Sequence, residues 1–274
     1  MLTLPDFTTL PDATTLRSAA CAVLNAADPA EKLRLTHQAA AAWFAGDIAR
    51  LGDETPPDRP ARPDRPILGP PRDVAKRGRG GSQANRAALL HALAHIELNA
   101  IDLHRDAVAR DWGRALPKAF YDDWVRVADD EARHFRMLAD LLRELGAAYG
   151  DLPAHDGLWQ SAQTTAHDLA ARLAVAPMLL EARGLDVTPA TIDRLRAMGE
   201  GATADALQIV YEDEITHVAA GCRWFRHLAE EEGRDAAQWW RELVGRYFKG
   251  QLKPPFNDAA RAQAGLTPDF YNPA

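Results

Sequence analysis

Ala-Asp-Asp-Glu-Ala-Arg-His-Phe at 128–135 and Tyr-Glu-Asp-Glu-Ile-Thr-His-Val at 211–218 decide how this chain folds. Each stretch holds an Asp-Glu-x-x-His pentad, Asp130 to His134 and Asp213 to His217, within a segment of helical apolar spacing. Helix positions three apart share a face, so Glu131 and His134 point one way, as do Glu214 and His217. Trp124, Val127 and Leu138 share the first face, and Leu207, Val210 and Val218 the second, so both faces turn inward. Upstream of each pentad lies a glutamate among apolar neighbours: Glu97 between Leu93 and Ile101, and Glu181 beside Met178. Glutamate, Glu-x-x-His, glutamate, Glu-x-x-His is the order in which a four-helix bundle holds two metal ions in its core.

A lone carboxylate in an apolar interior costs several kcal/mol or shifts its pKa until neutral. Two divalent ions would offset four such carboxylates, with one imidazole completing each coordination sphere. Glu97, Glu131, His134, Glu181, Glu214 and His217 are therefore the expected metal ligands. Asp130 and Asp213 are expected to accept the outer imidazole N–H groups, with Arg133 paired to those carboxylates; ordinary exposed aspartates are the alternative. His104, two turns beyond Glu97 on the same face, is expected just behind the ligands, whereas His95 points elsewhere. Tyr211, one turn before Glu214, is a candidate catalytic residue beside the metals or a core tyrosine. Gly221 either leaves room for a substrate or lets two helices approach closely.

The rest of the chain reads as all-α. Asp28-Pro29-Ala30-Glu31 resembles a capping box with proline at the first helical position, opening a helix through Ile48. Residues 55–83 turn Pro-, Arg- and Gly-rich and hold no regular element. Long helices are expected over 85–112, 117–146, 158–183 and 202–232, with a shorter one over 235–249. Gly184 to Val187 is expected to interrupt the third, and Thr188-Pro189 to restart it up to about Gly199. These form one domain: a helical extension over 1–54, an irregular wrap over 55–83, a bundle over 84–233 and a C-terminal helix and tail over 234–274.

The 274 residues carry 32 Lys+Arg against 39 Asp+Glu, net −7, which argues against a global attraction to nucleic acid or anionic membrane. No apolar run approaches the ~18 residues of a spanning helix, no signal pattern opens the chain, and Cys21 and Cys222 suggest no disulfide framework. A cytoplasmic protein is expected. The arginines of 58–79 either pair with an acidic bundle surface or bind phosphates, tRNA included; the first is favoured.

Asp130-Glu131-x-Arg133-His134 resembles the Asp/Glu-Glu-x-Arg-His motif of ferritin-like di-iron oxygenases and oxidases. A closer resemblance is to a bacterial ferritin-like family catalogued as domain of unknown function 455. It runs from PARPDRPILGPPRD through HALAHIELNAIDL, FYDDWVRVADDEARHF, YGDLPAHDGLW, LEARGLDVTP and DEITHVAAGCRWF to PPFN. The resemblance implies a ferritin-like bundle with the six ligands named above, and no reaction. A more distant likeness is to di-iron enzymes that hydroxylate modified adenosine in tRNA.

A carboxylate-rich, two-imidazole site suits Fe, with Mn or Zn as alternatives. The favoured expectation is a di-iron oxidase or monooxygenase with O2 as co-substrate, an electron donor, and an unidentified small-molecule or modified-nucleoside substrate. A ferroxidase or metal-handling protein is one alternative; a bundle merely stabilised by its metals is another.

Overall fold

A computed structural model describes residues 15–69 and 82–272. It is all-helical, with no strand among the described residues beyond an isolated bridge between Leu68 and Ala154. Two short helices, α1 (Leu16–Asn25) and α2 (Pro29–Ala45), precede the irregular segment. The Asp28 carboxylate caps α2 by accepting from Glu31 N, and Gly46 ends it with φ 86°, a left-handed conformation open to glycine. Then come α3 (Gln83–Ala109) and α4 (Lys118–Glu144), an antiparallel hairpin whose connection lies midway between Glu97 and Glu131.

The third arm differs from the expected helix over 158–183. The chain forms α5 (Gly157–Thr164), stops, and restarts at α6 (Leu169–Val175), where the Asp168 side chain accepts from Ala171 N. A π-helical turn, Ala176–Glu181, joins α6 to α7 (Ala182–Ala197) without a break. The expected interruption at Gly184–Val187 and restart at Thr188-Pro189 are absent. Pro189 lies inside α7, where its missing N–H would free the carbonyl four residues back. That carbonyl, of Leu185, accepts instead from Asn257 Nδ2 at 3.1 Å. A proline that reads as a helix start is thus accommodated by a side chain from the distant C-terminal segment. The actual irregularity sits about two turns before Gly184, at Pro177, and the wide turn sets the direction of Glu181.

The fourth arm is α8 (Gly201–Glu231), followed by α9 (Ala236–Tyr247), α10 (Asp258–Gln263) and α11 (Pro268–Tyr271). The tail beyond α9 thus carries two short helices. Asp186 of α7 and Arg261 of α10 make a buried two-bond pair, both at 2.7 Å, fastening that tail to the bundle. Gly221 serves close packing: a β-carbon there would come within 2.7 Å of Pro177.

The irregular segment runs against the bundle as expected for residues 55–69. Arg59 pairs with Asp156 at 2.6 Å, and Arg62 with Asp102, which also takes the buried Lys32 ammonium at 2.6 Å. Arg72, Arg77 and Arg79 lie outside the described residues. No helix is long and apolar enough to cross a membrane, among the described residues.

Two apolar layers fill the bundle. One gathers Phe120, Trp124, Leu173, Val218 and Phe225; the other gathers Leu90, Leu98, Phe135, Ile192 and Leu207. Along α4 and α8 the change from one layer to the other falls at the two pentads, so their polar side chains occupy the seam.

Candidate metal centre

Glu97 from α3, Glu131 and His134 from α4, and His217 from α8 are buried, each 3% exposed or less. The side chains of Glu181 and Glu214 are 10% and 12% exposed, the two most open of the set. All six expected ligands converge. Three groups each have ligand atoms within 4.8 Å of one another: Glu97, Glu131 and His134; Glu131, Glu214 and His217; and His104, Glu131 and Glu181. Glu131 belongs to all three, which makes it the central carboxylate.

Each imidazole turns Nδ1 toward the cluster. His134 Nδ1 is 3.3 Å from Glu131 Oε2 and 3.5 Å from Glu97 Oε2; His217 Nδ1 is 3.2 Å from Glu131 Oε1. The outer nitrogens find the aspartates, but crosswise. His134 Nε2 meets Asp213 at 2.9 Å, and His217 Nε2 meets Asp130 at 3.4 Å. Arg133 Nη2 bridges both aspartates at 2.8 Å. An aspartate one residue before its glutamate projects toward the neighbouring helix, so each pentad orients the other pentad's histidine.

His104, expected just behind the ligands, stands among them. Its ring stacks on Trp124, with centroids 5.2 Å apart and planes within 4°, and its Nε2 lies 3.0 Å from Glu181 Oε1. Glu181 is thereby grouped with His104 and Glu131, not with the pentad that follows it in sequence. Tyr211 is turned toward the tail: its hydroxyl accepts from Asn257 Nδ2 at 3.1 Å. His95 faces away as expected, meeting Tyr149 Oη and the His155 carbonyl; burial pushes its pKa down to about 4. His155 Nδ1 accepts from Gly157 N, which steadies the turn before α5.

Without cations the cluster balances its charge by protonation. Burial and the neighbouring Glu131 push Glu97 up to about 8, and burial with Glu131 holds Glu214 well above the usual carboxyl range. Burial would also raise Glu131, but the imidazoles of His104, His134 and His217 around its carboxylate hold it well below that range. Burial opposes charge on His134 and His217, yet hydrogen bonds to Asp213 and Asp130, with Glu131, raise both well above the usual imidazole range. Three histidines thus share with any metals the task of making four core carboxylates tolerable.

The cluster nonetheless has the donors a metal wants. Glu97 Oε2, Glu131 Oε1, both Glu181 oxygens, Glu214 Oε2, His104 Nε2 and His217 Nδ1 are buried without a hydrogen bond. His104 Nε2 and Glu181 Oε1 are close enough to bond yet not directed at one another, as expected of atoms aimed at a shared centre. Buried polar atoms left this way are rare unless something else satisfies them.

Residues 25–272 match the family described as "Protein of unknown function (DUF455)". The chain belongs to that family. An uncharacterized protein of Haemophilus influenzae is 43% identical over 213 residues, covering 76% of this chain and 73% of that one. No solved structure matches. The family name carries no reaction, so chemistry must be argued from the site.

In this DUF455 chain a cavity of about 450 Å³ opens beside the cluster and reaches Glu97, Glu181 and Glu214. Its walls come chiefly from α3 and α7, with Leu207 and Val210 of α8. Sequence reasoning missed this cavity, although the apolar run Leu89, Leu93, Ile96 was the available signal.

Proposed function

We propose that this chain is a dinuclear metal carboxylate protein, with iron the best fit, acting as an O2-dependent oxidase or monooxygenase on a substrate held in the adjoining cavity. Glu97, Glu131 and His134 would hold one ion, Glu131, Glu214 and His217 the other, with Glu181 and His104 within reach of the shared Glu131. Carboxylate oxygens with imidazole nitrogens suit iron or manganese, and zinc less selectively. An iron pair supplies, when bound, redox chemistry toward O2 that no side chain here provides.

The chain's own contribution is arrangement. Asp213 and Asp130 fix the two imidazole rings, and Arg133 holds both aspartates. The apolar layers on either side keep bulk water from the buried donors. Glu97 and Glu214 hold protons that incoming metal displaces, so metal uptake is coupled to proton release. The carrying observation is that the two most open glutamates face a cavity of ligand size, which a purely structural metal site does not need.

Anaerobic reconstitution with Fe(II), metal counting, and O2 exposure followed optically and by Mössbauer spectroscopy test this reading. Two irons per chain that oxidise together are expected. A stoichiometry of zero or one would overturn it. Two irons that form a mineral core in excess Fe(II) would point to metal handling, and two that ignore O2 to a structural site.

A further inference from the structure

The cavity beside the cluster has a shape and a charge pattern of its own. On α3, Leu89, Leu93, Ile96 and Leu103 recur at helical spacing and line one wall. On α7, Gly184, Val187, Thr191 and Arg194 line the other, Val187 being 37% exposed. At 1.5 Å per residue, Leu89 to Leu103 spans about 21 Å. A volume near 450 Å³ spread along that wall makes the cavity elongated.

The charge is uneven along it. Glu97, Glu181 and Glu214 crowd one stretch of the wall with carboxyl groups, which offer an anion no partner. Arg194 stands about 20 Å of helix beyond Glu181. It has no ion pair among the described residues and only a 3.4 Å contact from Nη2 to Thr191 Oγ1. Arg183, the other cation on the wall, is engaged by Asp186 and the carbonyls of Lys253 and Pro255. A ligand filling this space needs an apolar body, and any negative group must sit at the Arg194 end.

We propose that the cavity binds a long-chain carboxylate, its carboxylate on Arg194 and its hydrocarbon lying between α3 and α7 past the three glutamates. That this ligand is also the substrate rests on the reaction-site reading above; the binding itself does not. Arginine recognises a carboxylate through a charge-assisted, two-pronged hydrogen bond. Gly184 offers a clean block, because a β-carbon there meets nothing within 4 Å. It also lies inside α7, where a larger residue raises helix propensity, so Gly184→Leu fills the cavity without weakening the helix.

The test is displacement of a fluorescent fatty acid from the full-length, metal-loaded chain by palmitate, octanoate, methyl palmitate and adenosine, with metal counted in every sample. Palmitate should bind tighter than octanoate, and tighter than its methyl ester by about tenfold. Arg194→Gln should erase the acid-over-ester preference and leave ester binding unchanged. Gly184→Leu should abolish binding of both while the melting temperature and metal content hold. Equal binding of acid and ester, no dependence on chain length, or displacement by adenosine would overturn the proposal. Two metals per chain without palmitate binding would sink this inference alone; palmitate binding without metals would sink the reaction-site reading alone.

Discussion

Replacing Glu97 by glutamine should raise the metal-free melting temperature and shrink the further rise that metal brings. Glu97 is 3% exposed and its carboxyl is pushed up to about 8 by burial and by Glu131. In the unfolded chain it ionises near 4.5. The folded state therefore keeps a proton that the unfolded state loses, and stability falls as pH rises from about 4.5 to about 8. At pH 7 that difference spans about 2.5 pH units, or about 3 kcal/mol at 1.36 kcal/mol per unit. Glutamine is neutral in both states. Metal-free Glu97→Gln should thus melt higher than wild type at pH 7, by about 6–12 °C at 2–4 °C per kcal/mol, and the gain should vanish below pH 4.5. With metal the gap narrows. An ion at 100 times its Kd stabilises wild type by about 2.7 kcal/mol, and a variant lacking one anionic ligand gains less. Calorimetric melts at pH 4.5 and 7, with chelator and with anaerobic Mn(II), read all four arms. If the metal-free variant melts below wild type at pH 7, the burial argument for Glu97 is wrong; if the metal-induced rise is unchanged, Glu97 is not a ligand.

The crosswise aspartates make a site-selective forecast. Asp213→Asn should weaken by about 10–100-fold the ion at His134 and leave the one at His217 less affected, Asp130→Asn doing the reverse; two-phase metal titrations separate them. His104→Phe keeps the stack on Trp124 but removes a donor and one of the three imidazoles around Glu131, so it should lower both metal affinity and metal-free melting; unchanged affinity would place His104 outside the coordination sphere. Asp186→Ala leaves Arg261 buried and unpaired, and should cost about 3–5 kcal/mol in urea unfolding. Burial pushes the Cys222 thiol up to about 12. At pH 8 iodoacetamide should therefore label the half-buried Cys21 well before Cys222, which becomes reactive only on unfolding.

The bundle and its six candidate ligands were legible because helical spacing is local. Three residues separate Glu131 from His134 in any helix, and apolar residues around each glutamate announce which way it faces. The hairpin of α3 and α4 followed from chain length, since Glu97 and Glu131 lie at similar distances from the turn. Pro177 and Pro189 were beyond such reading. Whether a proline ends a helix, widens a turn or is tolerated depends on who satisfies the freed carbonyl, and for Leu185 that partner is Asn257, 72 residues along the chain. The same holds for charge. A sequence tells which carboxylates are buried, but only the packed helices bring His104, His134 and His217 onto Glu131 and set which groups keep their protons. The crossed aspartates, the tail bond of Tyr211 and the cavity between α3 and α7 likewise exist only once separate helices meet, because each depends on the distance between helix faces and not on spacing along any one of them.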